Sequence, residues 1–390
     1  LAEVMRHLVL TGPDDAGLAR QRRFFGRHLA PWYAQFAGAL AAAPGADFYA
    51  KVGGLLAAFM VWSIYHKRES VIHKLPIDSV GLGLLVLWVG ALQIMLDKGK
   101  ELDWFESDEI LVLALVAAVA FAFFLVWELA ERQPLVDLRH FGRRNFTVGV
   151  LALSVAYGLF FGNVVLLPLW LQQYMGYTAT WAGLATAPVG LFAILLSPLV
   201  GKNVSRVDPR KLATVAFVVF ALVLWMRSQF NPQSTFSTVL LPTLVQGVAM
   251  AFFFIPLQAI VFSGLTPDQL PAASGLSNFV RITAGAMGTS IFTTVWEDRA
   301  ILHHAQLAEQ VNPGSLAASQ TLAQLGAAGL SPEQAAATVN RLVDQQAYTM
   351  AATDLFRLSA WLFLAMIAVV WLARPRRAAG IGSADAGGAH

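Results

Sequence analysis

Residues 96–107 read "LDKGKELDWFES". Six charged side chains, Asp97, Lys98, Lys100, Glu101, Asp103 and Glu106, fall within ten positions, between apolar runs at 77–96 and 109–127. A helix needs about 20 apolar residues to cross a bilayer core, and each flanking run approaches that length. Charge packed into so short a gap marks a turn between two spans, kept in water. Trp104 and Phe105 stand near its end, where aromatic rings favour the membrane interface.

Outward from this turn, further apolar runs lie at 146–171, 180–200, 212–226, 238–264, 272–296 and 355–373, with a shorter one near 52–65. The chain is 57% hydrophobic and only 13% charged, against roughly a quarter charged in a soluble domain. The expected fold class is therefore an all-α polytopic membrane protein, whose helices satisfy their own backbone hydrogen bonds in lipid. The absence of Cys excludes disulfide frameworks and thiolate metal sites. The opening "LAEVMRHLVLTGPDD" is charged too early for a signal peptide.

The connecting loops alternate in charge. "HKRESVIHKLP" (66–76), "AERQPLVDLRHFGRRN" (130–145), "GKNVSRVDPRK" (201–211) and the tail from Arg374 are basic. The other set, 97–108, 172–179, 227–237 and 297–352, holds only Lys98, Lys100, Arg227, Arg299 and Arg341. The positive-inside rule makes the first set cytoplasmic, and the opening turn then lies outside.

Residues 146–373 form two triplets of helices, opened by 146–171 and 238–264. Repeated triplets are a building plan of secondary transporters, with substrate held near the midplane. Pro168, Pro188, Pro198 and Pro256 interrupt these spans. Gly158 with Gly162, and Gly247 with Ala251, have the spacing that lets membrane helices approach closely.

Polar residues inside the spans are few: Asn163, Gln246, Gln258, Asn278 and Arg281. Arg281 lies about ten residues into its run, and either serves a function as a buried charge or snorkels to the cytoplasmic face. Glu128 ends a span and reads as interfacial. Tyr157, Phe161, Phe253 and Phe254 suit an apolar substrate if they face a cavity, or a lipophilic cation over their ring faces; otherwise they meet lipid or neighbouring helices.

Enzyme signatures are missing: there is no HExxH, GxSxG or P-loop, so no catalytic residues are assigned. Without a P-loop the chain is not by itself an ATP-driven pump. His303 and His304 are adjacent and diverge on a helix, so no metal site is assigned. Nothing points to nucleic acid. In the long external loop, Ser331, Pro332 and Gln334 carry the signs of a helix start with a capping box.

The segments "LQIMLDKGKELDWF" (92–105), "PLVDLRHFGRRNF" (134–146), "LLPLWLQQYMGYTATWAGLATAPVG" (166–190), "LSNFVRITAGAMGTSI" (276–291) and "HHAQLAEQVNP" (303–313) resemble those of EmrB-type drug transporters. These form the fourteen-helix drug:proton antiporter branch of the major facilitator superfamily. The resemblance covers roughly residues 52–375. It implies a complete C-terminal six-helix lobe at 129–375, two inserted helices at 77–128 and an incomplete N-terminal lobe, of which 52–76 is the remnant.

It also implies that helices 146–171 and 238–264 line a cavity, making Tyr157, Phe161, Asn163, Gln246, Phe253, Phe254 and Gln258 candidate substrate residues. "GKNVSRVDPRK" resembles the superfamily's cytoplasmic gating loop through Gly201, Arg206, Arg210 and Lys211. Ser205 stands for its Asp and Asp208 for its Gly, so the usual gating ion pair is not expected unchanged.

Such transporters export hydrophobic toxic compounds from the bacterial cytoplasm across the inner membrane. They use the proton gradient with no cofactor, and usually join a periplasmic adaptor and an outer-membrane channel. Residues 1–51 do not match, and the proton-carrying acids are expected mainly in the unmatched lobe. The expectation is a truncated or frame-shifted reading frame, with a cytoplasmic tail at 376–390. The leading function is a proton-coupled multidrug efflux permease; the alternative is a membrane binding or regulatory subunit that transports nothing.

Overall fold

A computed structural model describes residues 78–374, apart from positions 100, 103, 132, 133, 135, 205, 267 and 313, together with positions 54, 55, 58–60, 62 and 63. The leader at 1–51, most of the remnant at 52–76 and the tail at 376–390 lie outside the described residues.

Helix α1 spans Ser79–Lys98 and α2 Asp108–Ala130; α3 is Arg144–Gln173, α4 Ala179–Thr186 and α5 Val189–Asn203. Then come α6 at Pro209–Arg227, α7 at Phe236–Ala251, α8 at Phe254–Val261 and α9 at Leu270–Ala308. Helices α10, Leu316–Ala327, and α11, Pro332–Trp371, complete the set; among the described residues there is no strand. Among the described residues seven segments are long and apolar enough to cross a membrane: α1, α2, α3, α4 with α5, α6, α7 with α8, and α11. Helix α9 occupies the remaining expected run, 272–296, but Asn278, Arg281 and a series of Gly, Ser and Thr dilute its hydropathy.

Local chemistry sets the helix ends. Asp78 caps α1 by accepting from the Val80 and Gly81 N–H groups, and its second oxygen accepts from Trp127 Nε1 of α2 at 2.9 Å. One carboxylate thus starts a helix and ties the α1–α2 hairpin. At the far end the Trp104 ring folds back on Gly99, where an added Cβ would lie 2.7 Å from it, while Phe105 is 61% exposed. The two rings remain neighbours, centres 6.5 Å apart, one against the helix end and one outward. Pro256 has no N–H for the Phe252 carbonyl, and the sixth span breaks there into α7 and α8.

The expected external loop is mostly helix. Ser331 and Gln334 form the predicted capping box, but the helix they start runs unbroken into the last span for 40 residues. Helix α9 likewise continues to Ala308, giving 39 residues. At 1.5 Å per residue each is about 60 Å long, twice a bilayer core. No Pro or Gly after Pro332 stops α11. His303 and His304 do diverge: His303 Nε2 meets Asp354 at 2.9 Å and His304 Nδ1 meets Asp344 at 2.7 Å, both on α11.

The two ends of the bundle keep the loop sets apart. At one end Arg143 donates to the Gly264 carbonyl, Arg144 to that of Leu372, and Arg210 to that of Ala373. At the other, Gln345 donates to the Tyr174 carbonyl and Ser290 to Asp97. Between them, Phe217, Phe220, Phe253 and Phe363 form a buried aromatic core. Ile194, Val126 and Leu115 stand outward, each at least 65% exposed, as a lipid-facing surface allows.

Two charges are more buried than their sequence positions suggest. Glu128, at the end of its span, is 1% exposed and accepts from the Val136 N–H at 3.0 Å. Arg227 is not a loop charge: it is 2% exposed, because the following turn tucks inward. There Phe230 stacks on Trp170, ring centres 5.6 Å apart.

Candidate functional site

Helix α3 carries chemistry on two neighbouring faces. Tyr157 and Phe161 are four residues apart and share one. Phe160, Asn163, Val164 and Leu167 follow i, i+3, i+4, i+7 and share another, about a quarter of a turn away.

The first face meets α9 across a seam of glycines. A Cβ at Gly288 would come within 2.6 Å of the Gly158 Cα, and one at Gly162 would strike the Phe292 ring. Only residues without Cβ allow this approach, so the predicted small-residue spacing is a packing seam. Gly285 provides flat space for the Tyr157 ring, 2.8 Å from where its Cβ would be. Beside the seam Tyr157, Phe161 and Phe254 cluster, with ring centres 4.5 Å apart for Tyr157 and Phe161 and 5.9 Å for Tyr157 and Phe254.

Arg281 completes this cluster. Its guanidinium carbon lies 4.7 Å from the Tyr157 ring centre and 5.6 Å from that of Phe254. It donates to Asn278 Oδ1 at 3.0 Å, and its Nε is buried with no hydrogen-bond partner among the described residues. The side chain therefore lies over aromatic faces, a cation–π arrangement. Those faces are the ones a lipophilic cation would need, and Arg281 already covers them.

The second face opens on a cavity of about 360 Å³ between α3, α4, α6 and α7, with Phe160, Asn163, Leu167, Arg227, Thr243 and Gln246 in its wall. Arg227 donates to Gln246 Oε1 at 2.6 Å and to Thr243 Oγ1 at 3.3 Å. It makes no ion pair among the described residues, and its Nε has no hydrogen-bond partner. Asn163 donates to the Leu159 carbonyl and to Ser359 Oγ, leaving its own Oδ1 without a partner. Burying a charged guanidinium is costly unless it is paired, and here only neutral acceptors among the described residues offset it.

The sequence candidates thus separate. Tyr157, Phe161, Phe254 and Arg281 come together at the seam, and Asn163 and Gln246 at the cavity. Phe253 lies behind the seam cluster and outside the cavity wall: it is fully buried against Phe217 and Phe220, and its ring meets that of Phe254 edge-on at 4.7 Å. Gln258 is half-buried on α8 and is not part of the cavity wall. The missed residue is Arg227, whose place at the end of an apolar run resembles a loop charge. The i, i+3, i+4, i+7 spacing on α3 is the sequence signal that could have pointed to the cavity face, though it names no partner.

At the basic end, Arg210 pairs with Asp208 at 2.8 Å and lies 5.0 Å from the Trp371 ring centre. An ion pair therefore exists in this loop, made by the Asp that replaces the motif's Gly; Ser205 lies outside the described residues. Hydrogen bonding from Arg210 holds the Asp208 carboxyl below the usual carboxylate range. Gly201, Arg206 and Lys211 are exposed. Among the described residues no group of three or more His, Asp or Glu side chains is placed to hold a metal.

Comparison with known proteins adds a separate line. A model of the Major Facilitator Superfamily matches residues 29–289. The chain is 46% identical over 338 residues to the multidrug export protein EmrB of Escherichia coli K12, an alignment covering 86% of this chain and 65% of that protein. It is 46% identical over 323 residues to the EmrB of Haemophilus influenzae, covering 83% and 63%. It is 42% identical over 322 residues to the fatty acid resistance protein FarB of Neisseria gonorrhoeae, covering 83% and 64%. The chain thus spans a little under two thirds of the length of these relatives.

Proposed function

The chain belongs to the Major Facilitator Superfamily, and from that premise we propose that it serves multidrug efflux. In this reading it forms the C-terminal six-helix lobe and the two inserted helices of a permease that exports hydrophobic toxic compounds. The observation that carries the proposal is the 46% identity to multidrug export protein EmrB across 86% of the chain.

The seam cluster supplies a mechanism. Tyr157, Phe161 and Phe254 offer apolar ring surface, and Arg281 adds a fixed positive charge on it. A substrate that combines an apolar body with an acidic head gains from both; a lipophilic cation gains the rings only by displacing Arg281. Neutral and acidic amphiphiles are therefore the favoured class, in keeping with the printed name of the fatty acid resistance relative. The breaks at Pro188 and Phe252–Phe253 provide points where the helices bend as access alternates.

The proton gradient is the proposed energy source, with no cofactor, and the bacterial inner membrane the proposed site, with the basic loop end cytoplasmic. The outward extensions of α9 and α11 are the proposed surface for a periplasmic adaptor leading to an outer-membrane channel.

The test is export from cells deprived of their own drug pumps. Cells producing the chain should survive higher concentrations of acidic amphiphiles, and Arg281→Gln should remove that protection while the protein stays in the membrane. Protection against cationic dyes alone, indifferent to Arg281→Gln, would overturn the substrate reading; no protection against any compound would overturn efflux by the chain.

A further inference from the structure

We propose that the cavity around Arg227 is a second binding site, taking a small carboxylate with an apolar body. It is separate from the seam cluster and does not depend on transport. Arg227 is 98% buried by its 2% exposure, with its Nε unpartnered and no carboxylate in ion-pair range among the described residues. Its protein partners, Gln246 and Thr243, are neutral, so they orient the guanidinium without cancelling its charge.

The volume of about 360 Å³ falls in the range of small-molecule sites. Phe160, Val164, Leu167 and Val189 make most of the wall apolar. A planar guanidinium fork fits a carboxylate better than it fits a spherical ion. Charge at one point and apolar wall elsewhere define a short aryl or alkyl carboxylate.

The fold holds the arginine rigidly. It closes α6, and the turn after it is pinned by the Phe230–Trp170 stack. Trp170 is itself fixed by its Nε1 bond to Thr349. Gly183 borders the cavity on α4, and a Cβ there would meet nothing within 4 Å, so a side chain at that position enters open space without disturbing Arg227.

The probes are benzoate, its neutral isostere benzamide and acetate, titrated calorimetrically against the full chain in lipid nanodiscs. Benzoate should bind saturably, at least tenfold more tightly than either. Arg227→Gln should weaken benzoate tenfold or more, and Gly183→Leu should do the same with the arginine intact. Equal binding of benzoate and benzamide would show an apolar cavity only, and equal binding of benzoate and acetate a bare anion site; either overturns the proposal. Should Arg227→Gln fail to fold, Gly183→Leu decides: unchanged benzoate affinity there places the anion elsewhere. Loss of drug export with benzoate binding intact would overturn the transport reading and leave this one standing.

Discussion

Arg281 and Arg227 both carry a full charge within the helical body, yet their surroundings differ. Arg281 sits beside the α3–α9 seam, over two aromatic faces, with Asn278 as its hydrogen-bond acceptor. Arg227 sits at the wall of a cavity, held by Gln246 and Thr243, with no cation–π contact among the described residues. The seam is closed by backbone contact, the cavity by side chains. One arginine is presented on a surface of rings; the other is sequestered in a space shaped for something smaller.

The largest effect that would break this contrast is at the seam itself. Gly288→Leu drives a side chain into the Gly158 backbone and should destabilise the chain by at least about 3 kcal/mol, the upper end of overpacking costs. Gly83→Ala, where nothing lies within 4 Å of an added Cβ, should stay within roughly 1 kcal/mol of the parent. Thermal unfolding of the two purified variants in one detergent measures the difference; equal melting would show the seam is not close-packed.

Next comes the cavity arginine. Gln246→Leu removes the 2.6 Å acceptor of Arg227 and should cost about 2 kcal/mol, as for a lost hydrogen bond to a buried charge. The double variant Arg227→Met with Gln246→Leu should recover most of that, since an apolar replacement also removes the desolvated charge. Denaturation of the single and double variants decides it, and additive losses would mean the two side chains do not act together.

A smaller change is expected at the seam arginine. Arg281→Lys keeps the charge but loses the planar stacking on Tyr157 and Phe254, worth about 1 kcal/mol. Half-saturation for an acidic amphiphile should rise several-fold in vesicle transport, with a stability loss of no more than about 1 kcal/mol. Gln in place of Lys should abolish the preference for acids over neutral analogues.

The smallest effect lies in the basic loop before α6. Asp208 accepts from the Arg210 N–H at the start of α6 and pairs with its guanidinium. Asp208→Ala should cost about 1 kcal/mol, an ordinary helix cap. Because Arg210 lowers the Asp208 pKa below 3.8, the pair stabilises fully above the ordinary carboxylate value and fades as pH falls through it. Melting of parent and variant should therefore converge in acid and diverge toward neutral pH.

The seam was more legible than the cavity for a physical reason. Seam residues announce themselves by type: Gly at four-residue spacing, rings in clusters, an arginine ten residues inside an apolar run. All eight runs beyond residue 76 became helices, since apolar length and backbone satisfaction leave little choice in lipid. Arg227 gave no such sign, because it falls at the boundary of a short run and its burial depends on Phe230 folding under Trp170, a contact about sixty residues away in sequence. The facing of Phe253 was illegible for a related reason. A helix break resets the facing of every residue after it, and periodicity cannot say by how much. The outward extension of α11 escaped because a polar, helix-forming segment joins its span without a stop signal.

The most direct test of the efflux account is substrate-stimulated proton flux across vesicles reconstituted with the chain, parent against Arg281→Gln. The account predicts that an acidic amphiphile drives proton movement in the parent and that the substitution suppresses it at unchanged protein incorporation. Equal flux in parent and variant, or substrate binding with no flux in either, would contradict it.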